Sequence, residues 1–198
     1  MTSGRTVSRK IHQLKITLLD SKPPIWRRLL VPSDTSLSWL HRVIQVAMGW
    51  QDYHLHQFIQ GEVYYGIAQQ DYGFLVKDER RYYLDNVIPL AGMKLIYEYD
   101  FGDCWDHMVL VEKILPFDPL MTYPVCIKGR RACPPEDVGG IGGYEEFLKV
   151  IGDPNHPEYE DTVAWIGKPF DPNAFDLSEI NHRLAKLVIP QRKKRNPN

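Results

Sequence analysis

The chain has 198 residues, with 24 Lys and Arg against 25 Asp and Glu for a formal charge of −1, 43% apolar residues and 25% charged ones. That composition suits one globular domain, or one domain with an appendage, and excludes a disordered, collagen-like or fibrous chain. The near-neutral balance gives no general attraction to nucleic acid or to an anionic membrane.

No run approaches the roughly 20 apolar residues that span a bilayer. Residues 1–10 are polar with no apolar core, so a loose arm is expected there, neither a secretory signal nor an anchor. Residues 11–189 are expected to form the single domain and 190–198 a basic tail with Arg192, Lys193, Lys194 and Arg195. Cys104, Cys126 and Cys133 are odd in number and too few for a disulfide framework, which makes a reducing cytoplasm the expected setting.

Residues 11–19 read as a strand, because Leu14, Ile16 and Leu18 alternate with Gln13, Lys15 and Thr17. Pro23 and Pro24 break it, and Ile25 to Val31 resumes an extended pattern. Ser33, Asp34, Thr35 and Ser36 offer capping groups to a helix carrying Leu37, Leu40, Val43, Ile44, Ala47 and Met48, stopped by Gly49. Tyr53 to Ile59 is strand-like and turns at Gln60–Gly61 into Val63 to Tyr65. Residues 67–91 hold a charged loop and a short helical turn. Residues 93–101 and 104–115 form a long hairpin around Gly102–Asp103, and Met108 to Val111 is apolar on both faces, as in a central strand.

Cys126 to Gly143 reads as a Gly/Pro-rich loop. Helices are expected over 144–151, 157–166 and 177–188, the last with Asp176 and Glu179 in a capping-box arrangement. Strands first and helices after predict an α+β fold: one domain, a mixed and mostly antiparallel sheet, helices packed on it.

Several phrases carry polar chemistry. On a strand, His54 and His56 would share a face, and paired imidazoles can bind a transition metal or move protons. Two histidines on a wet sheet face is the plainer alternative. Asp100, Asp103, Asp106 and His107 surround the hairpin turn, a set that could cage a divalent cation. Asp103 also suits an ordinary turn, whereas Asp100 stands among aromatic residues where an unpaired carboxylate is costly. Glu136 and Asp137 sit between Pro134–Pro135 and Gly139–Gly140, either as a rigid pair of acids presented for catalysis or as caps for the following helix. Gly139 to Gly143 is not a phosphate loop, since no Lys-Ser/Thr follows it. The three thiols with His107 could hold zinc, but no C-x2-C pair exists and buried free cysteines are the simpler reading. Trp26, Arg27, Arg28, Trp105 and Tyr144 could line a groove or be structural; arginine stems and Trp often cover a sheet edge. No serine lies in a nucleophile elbow.

Taken together, Pro24-Ile25-Trp26-Arg27-Arg28, Ala47-Met48-Gly49-Trp50 with His54-Leu55-His56-Gln57-Phe58, Tyr99-Asp100-Phe101-Gly102-Asp103-Cys104-Trp105-Asp106-His107, and Cys133-Pro134-Pro135-Glu136-Asp137-Val138-Gly139-Gly140 with Gly143-Tyr144 resemble the plasmid pRiA4b ORF-3-like family. The resemblance runs from about residue 10 to 188. It implies a compact α+β domain of unsettled function. Some members are labelled transposon resolvase-like, a chemistry for which this chain has neither the Arg-rich catalytic domain nor a helix-turn-helix. Cys104 stands where the family often has a small residue, so no family role attaches to it.

Three functions follow. The first is a divalent-metal site of His54, His56, Asp100, Asp103 and His107, with Glu136 or Asp137 as outer ligand or general base, supporting metal-assisted hydrolysis. The second is a non-enzymatic module for a protein or peptide partner, using the same polar residues as a structural network. The third is an accessory protein in DNA transactions, ranked last because of the net charge.

Overall fold

The computed structural model describes residues 9–67, 75–190 and 192. One eight-stranded sheet runs β5-β4-β3-β6-β7-β1-β2-β8. Its strands are β1 Lys10–Leu18, β2 Trp26–Pro32, β3 His56–Gln60, β4 Val63–Gly66, β5 Val76–Asp78, β6 Lys94–Tyr99, β7 Trp105–Pro116 and β8 Val125–Arg130. All neighbours are antiparallel except β4 and β5. The helices are α1 Leu37–Met48, α2 Leu84–Val87, α3 Gly140–Gly152, α4 Tyr159–Ile166 and α5 Leu177–Leu184. This is a single α+β domain, and none of its described helices is long and apolar enough to cross a membrane.

Alternation explains the sheet. In β1, Leu14, Ile16 and Leu18 are buried while Gln13, Lys15 and Thr17 face outward. Each fully buried Leu or Ile contributes roughly 1.5–3 kcal/mol. β7 lies between β6 and β1 and buries Trp105, His107, Val109 and Val111. Helix α1 places Leu37, Leu40, Val43, Ile44 and Ala47 on the core and ends at Gly49, whose φ of 94° needs no Cβ.

Several expected boundaries move. Ser36 occupies the N-cap position of α1 but makes no side-chain cap; the Leu37 N–H donates instead to the Tyr82 carbonyl at 2.9 Å. The 126–143 loop contains strand β8, which pairs with β2. Helix α3 begins at Gly140, inside the expected loop, and neither Glu136 nor Asp137 caps it. Helix α5 stops at Leu184, where 3-10 bonds such as Lys186 N–H to Arg183 carbonyl take over. Only half of its capping box forms: Asp176 accepts from the Glu179 N–H, while the Glu179 carboxylate pairs with Arg183. Asn181 of α5 both donates to the Cys126 carbonyl and accepts from its N–H, at 2.9 and 2.8 Å, on the edge strand β8.

Candidate functional site

The β6–β7 connection sets the site. The last β3–β6 pair is His56 with Tyr99. Asp100 and Cys104 then take left-handed backbone angles, φ 59° and 55°, which end the ladder and fold the chain over at Gly102. Asp100 Oδ1 accepts from the Gly102 N–H at 2.9 Å, so it is Asp100, not Asp103, that makes the side-chain turn. Asp103 reaches outward and accepts from the Gly139 N–H at 3.1 Å, tying the tip to the start of α3.

His54 and His56 do not share a strand face. The strand begins at His56, and His54 lies in the bend before it, where the Tyr53 and His54 N–H groups turn toward the Tyr99 hydroxyl at 3.1 and 3.4 Å. This bend swings His54 over the hairpin tip. Its Nδ1 is 3.5 Å from Asp100 Oδ2, and its Nε2 is 3.1 Å from Asp137 Oδ1. One donor atom each from His54, Asp100 and Asp137 lies within 4.8 Å of the others. The Nε2 atom is shielded from solvent and makes no aligned hydrogen bond among the described residues.

Tyr99 joins the three segments. Its hydroxyl donates to Glu136 Oε1 at 2.6 Å. Burial, then that hydrogen bond, push its pKa up, so it stays a donor. The other Glu136 oxygen accepts from the Gln51 N–H at 2.9 Å. Glu136 therefore anchors the Pro-Glu-Asp loop with both oxygens engaged. The Trp50 indole N–H donates to the Pro134 carbonyl at 3.0 Å and its ring stacks on Tyr99. Beside this lies a cleft of about 330 Å³ whose wall includes Trp50, Tyr53, Glu136, Asp137, Trp165 and Lys168.

The other sequence candidates lie elsewhere. His107 is fully buried against Trp50, and burial lowers its pKa to about 4. Trp105, Arg27 and Tyr144 are also buried. Arg27 donates to the carbonyls of Ala47, Trp26 and Arg130 and to Cys133 Sγ. Arg28 forks onto Glu112 and, with Lys15, lies over the Trp26 ring. Neither grouping of cation-ligand side chains among the described residues includes a cysteine. Lys193, Lys194 and Arg195 fall outside the described residues; Arg192 pairs with Asp85 at 3.2 Å.

His56 belongs to a second cluster that the sequence did not announce. Its ring stacks on His41 with centroids 3.5 Å apart and planes 3° apart. His56 Nε2 is 2.9 Å from Glu79, His41 Nε2 is 2.7 Å from Asp52, and His41 Nδ1 is 2.8 Å from the Tyr97 hydroxyl. Burial lowers the His41 pKa despite Asp52, whose carboxylate that hydrogen bond holds down. His41, Asp52 and His56 also offer one ligand atom each within 4.8 Å of one another, a second grouping that could hold a cation, but here both rings are already engaged by Asp52, Tyr97 and Glu79. Spacings of 11 residues to Asp52 and 23 to Glu79 match no motif and left it invisible beforehand.

The comparisons with known proteins agree on kinship and are silent on activity. An uncharacterized protein of Sinorhizobium fredii, y4hQ, is 36% identical over 180 residues, covering 90% of this chain and 92% of its own. The crystal structure of a protein of unknown function from Methanosarcina mazei Go1, MM3350, matches with a TM-score of 0.80 at 41% identity, covering 87% of this chain and 97% of that one. The model of the plasmid pRiA4b ORF-3-like proteins matches residues 10–179, and with that the chain belongs to this family.

Proposed function

We propose that the chain binds a divalent cation through His54, Asp100 and Asp137 and uses it on a ligand held in the adjoining cleft. The observation that carries this is the meeting of one imidazole and two carboxylates from three distant segments, with donor atoms within 4.8 Å. Donors around one ion at about 2.1 Å sit roughly 3–3.5 Å apart, so a closure of about 1 Å would complete the shell. The solvent-shielded, unaligned His54 Nε2 is the atom with spare capacity. Three protein ligands leave open positions, and a bound cation supplies a water acidified toward neutrality for hydrolysis. In this reading Asp137 is a ligand, Glu136 and Tyr99 position its loop, and Asp103 fixes the hairpin tip. His56 and His107 fall outside it.

The test is elemental analysis of untagged protein purified without chelator, followed by Mn(II) and Zn(II) titration. One ion per chain, lost in His54→Ala and in Asp137→Asn with the fold intact, is expected. Absence of uptake in the parent refutes the site. Tyr53 and Trp165, exposed by 71% and 52% at the cleft, favour a second reading, a module for a protein or peptide partner. Partner capture that survives His54→Ala would replace the first reading with the second.

A further inference from the structure

We infer that the open face of the sheet is a platform for single-stranded nucleic acid, independent of the cation site. The strand register places its residues. On β6, β7, β1, β2 and β8, cross-strand partners Lys94, Leu110, Lys15, Arg28 and Lys128 fall in one row. All are half-buried or exposed, whereas their strand neighbours Leu95, Val109, Ile16 and Arg27 are buried on the other face. Four of these five positions are cationic. Four strand spacings of about 4.8 Å make the row roughly 19 Å long.

Two residues along each strand lies a second row: Ile96, Met108, Thr17, Trp26 and Arg130. It runs beside the first at about 7 Å. This row is Ile96, Met108 and Trp26 with Thr17 among them and Arg130 at its end, so the cations can track a phosphate backbone while Trp26 stacks a base beside them. Trp26 is already held in place by Lys15 and Arg28, 5.3 and 5.1 Å from its ring centre.

The charges also set the orientation. Glu112 neutralises Arg28 at one border of the basic row. The like-charged cross-strand pair Glu98 and Asp106 lies one row beyond the apolar one and would repel a backbone placed there. The phosphates therefore run over Lys94, Lys15 and Lys128. A sheet surface of half-buried and exposed side chains suits an unpaired strand, not a duplex groove. The overall charge of −1 hides this segregation, because composition carries no geometry.

The test is fluorescence anisotropy with labelled oligo(dT) and oligo(rU) octamers, a duplex of equal length and polyglutamate. Binding of either single strand at low salt is expected, with a log–log salt slope of about −2 to −3 for three to four phosphates. Lys94→Glu/Lys128→Glu should weaken it at least tenfold. Trp26→Ala should weaken it by about tenfold with the slope unchanged, the signature of lost stacking. His54→Ala should leave it intact. Circular dichroism and thermal melts verify that the exposed-site variants fold. The inference is overturned by no binding at 50 mM salt, by equal affinity for duplex or polyglutamate, or by insensitivity to the double variant.

Discussion

Gly143→Ala pits local propensity against tertiary packing. In the interior of a helix, Ala is favoured over Gly by about 1 kcal/mol, so α3 considered alone should gain stability. The structure predicts a loss. A Cβ at Gly143 would overlap the Val138 carbonyl oxygen and lie 2.8 Å from its carbon. That carbonyl cannot retreat easily. Its loop is pinned by Trp50 to Pro134, by Tyr99 and Gln51 to Glu136, and by Asp103 to Gly139. Overpacking against a fixed backbone costs typically 1–3 kcal/mol, occasionally more. An overlap this deep with a backbone oxygen belongs at the top of that range, so about 3 less about 1 leaves a net loss of about 2 kcal/mol, or a Tm lower by about 4–8 °C for a chain of this size. Relief by displacing Val138 would also shift Asp137 from His54 and weaken the proposed cation binding. Gly142 is the control: nothing lies within 4 Å of a Cβ there. Gly142→Ala should raise Tm by about 2–4 °C. Differential scanning calorimetry on both variants decides the matter. A Gly143→Ala protein as stable as its parent would refute the packing argument.

Tyr99→Phe removes the hydroxyl shared by Glu136 and the Tyr53 and His54 N–H groups. It should cost about 1–3 kcal/mol in urea unfolding and, at the proposed site, lower cation affinity with it. Arg27→Lys cannot reproduce the guanidinium's fan of bonds to three carbonyls and a thiol, so a loss of about 2–3 kcal/mol is expected by the same measurement. Stability should also fall with acid earlier than carboxylate titration requires. His107 has a folded pKa lowered to about 4 by burial. The unfolded chain takes up this proton below about 6.5 and the folded one only near 4. The contribution, on the order of 3 kcal/mol, is present above pH 6.5 and lost between 6.5 and 4. Burial lowers His41 and His12 as well, which adds in the same direction. Unfolding midpoints at pH 7.5, 6 and 5 report it; a flat profile would show that these rings are not buried neutral.

Much of the framework was legible because burial imposes a period. Strand β1 and helix α1 each show one apolar face, and the unbroken apolar run Met108 to Val111 marks β7 as a central strand, so the sequence could be read accordingly. Strand β8 hid because it is an edge strand with Ile127 and Lys128 exposed and Gly129 near its end, leaving little alternation. The start of α3 hid because its glycines look like loop residues. Two of them are there for close approach: a Cβ on Gly140 would come within 2.5 Å of the Asp103 carbonyl oxygen, and Gly143 abuts Val138. At the candidate site, His54, Asp100 and Asp137 were recognisable as residue types. Their meeting was not, since it depends on where the β3–β6 ladder stops. Tyr99 and Gln51 carried no signal, because a tyrosine in a strand reads as core and Gln51 contributes only its backbone.

The amide of Asn181 has a consequence for how the protein lives at high concentration. By taking both the N–H and the carbonyl of Cys126, it occupies a rung near the start of β8 that an incoming chain would need. Sheet growth on that side is blocked by one helical side chain acting as a stopper. The strand itself adds the exposed charges of Lys128 and Arg130 beside its exposed Ile127. The docking of α5 therefore also guards this edge: a fluctuation that lifts the helix uncovers the Cys126 rung at the moment the core loosens.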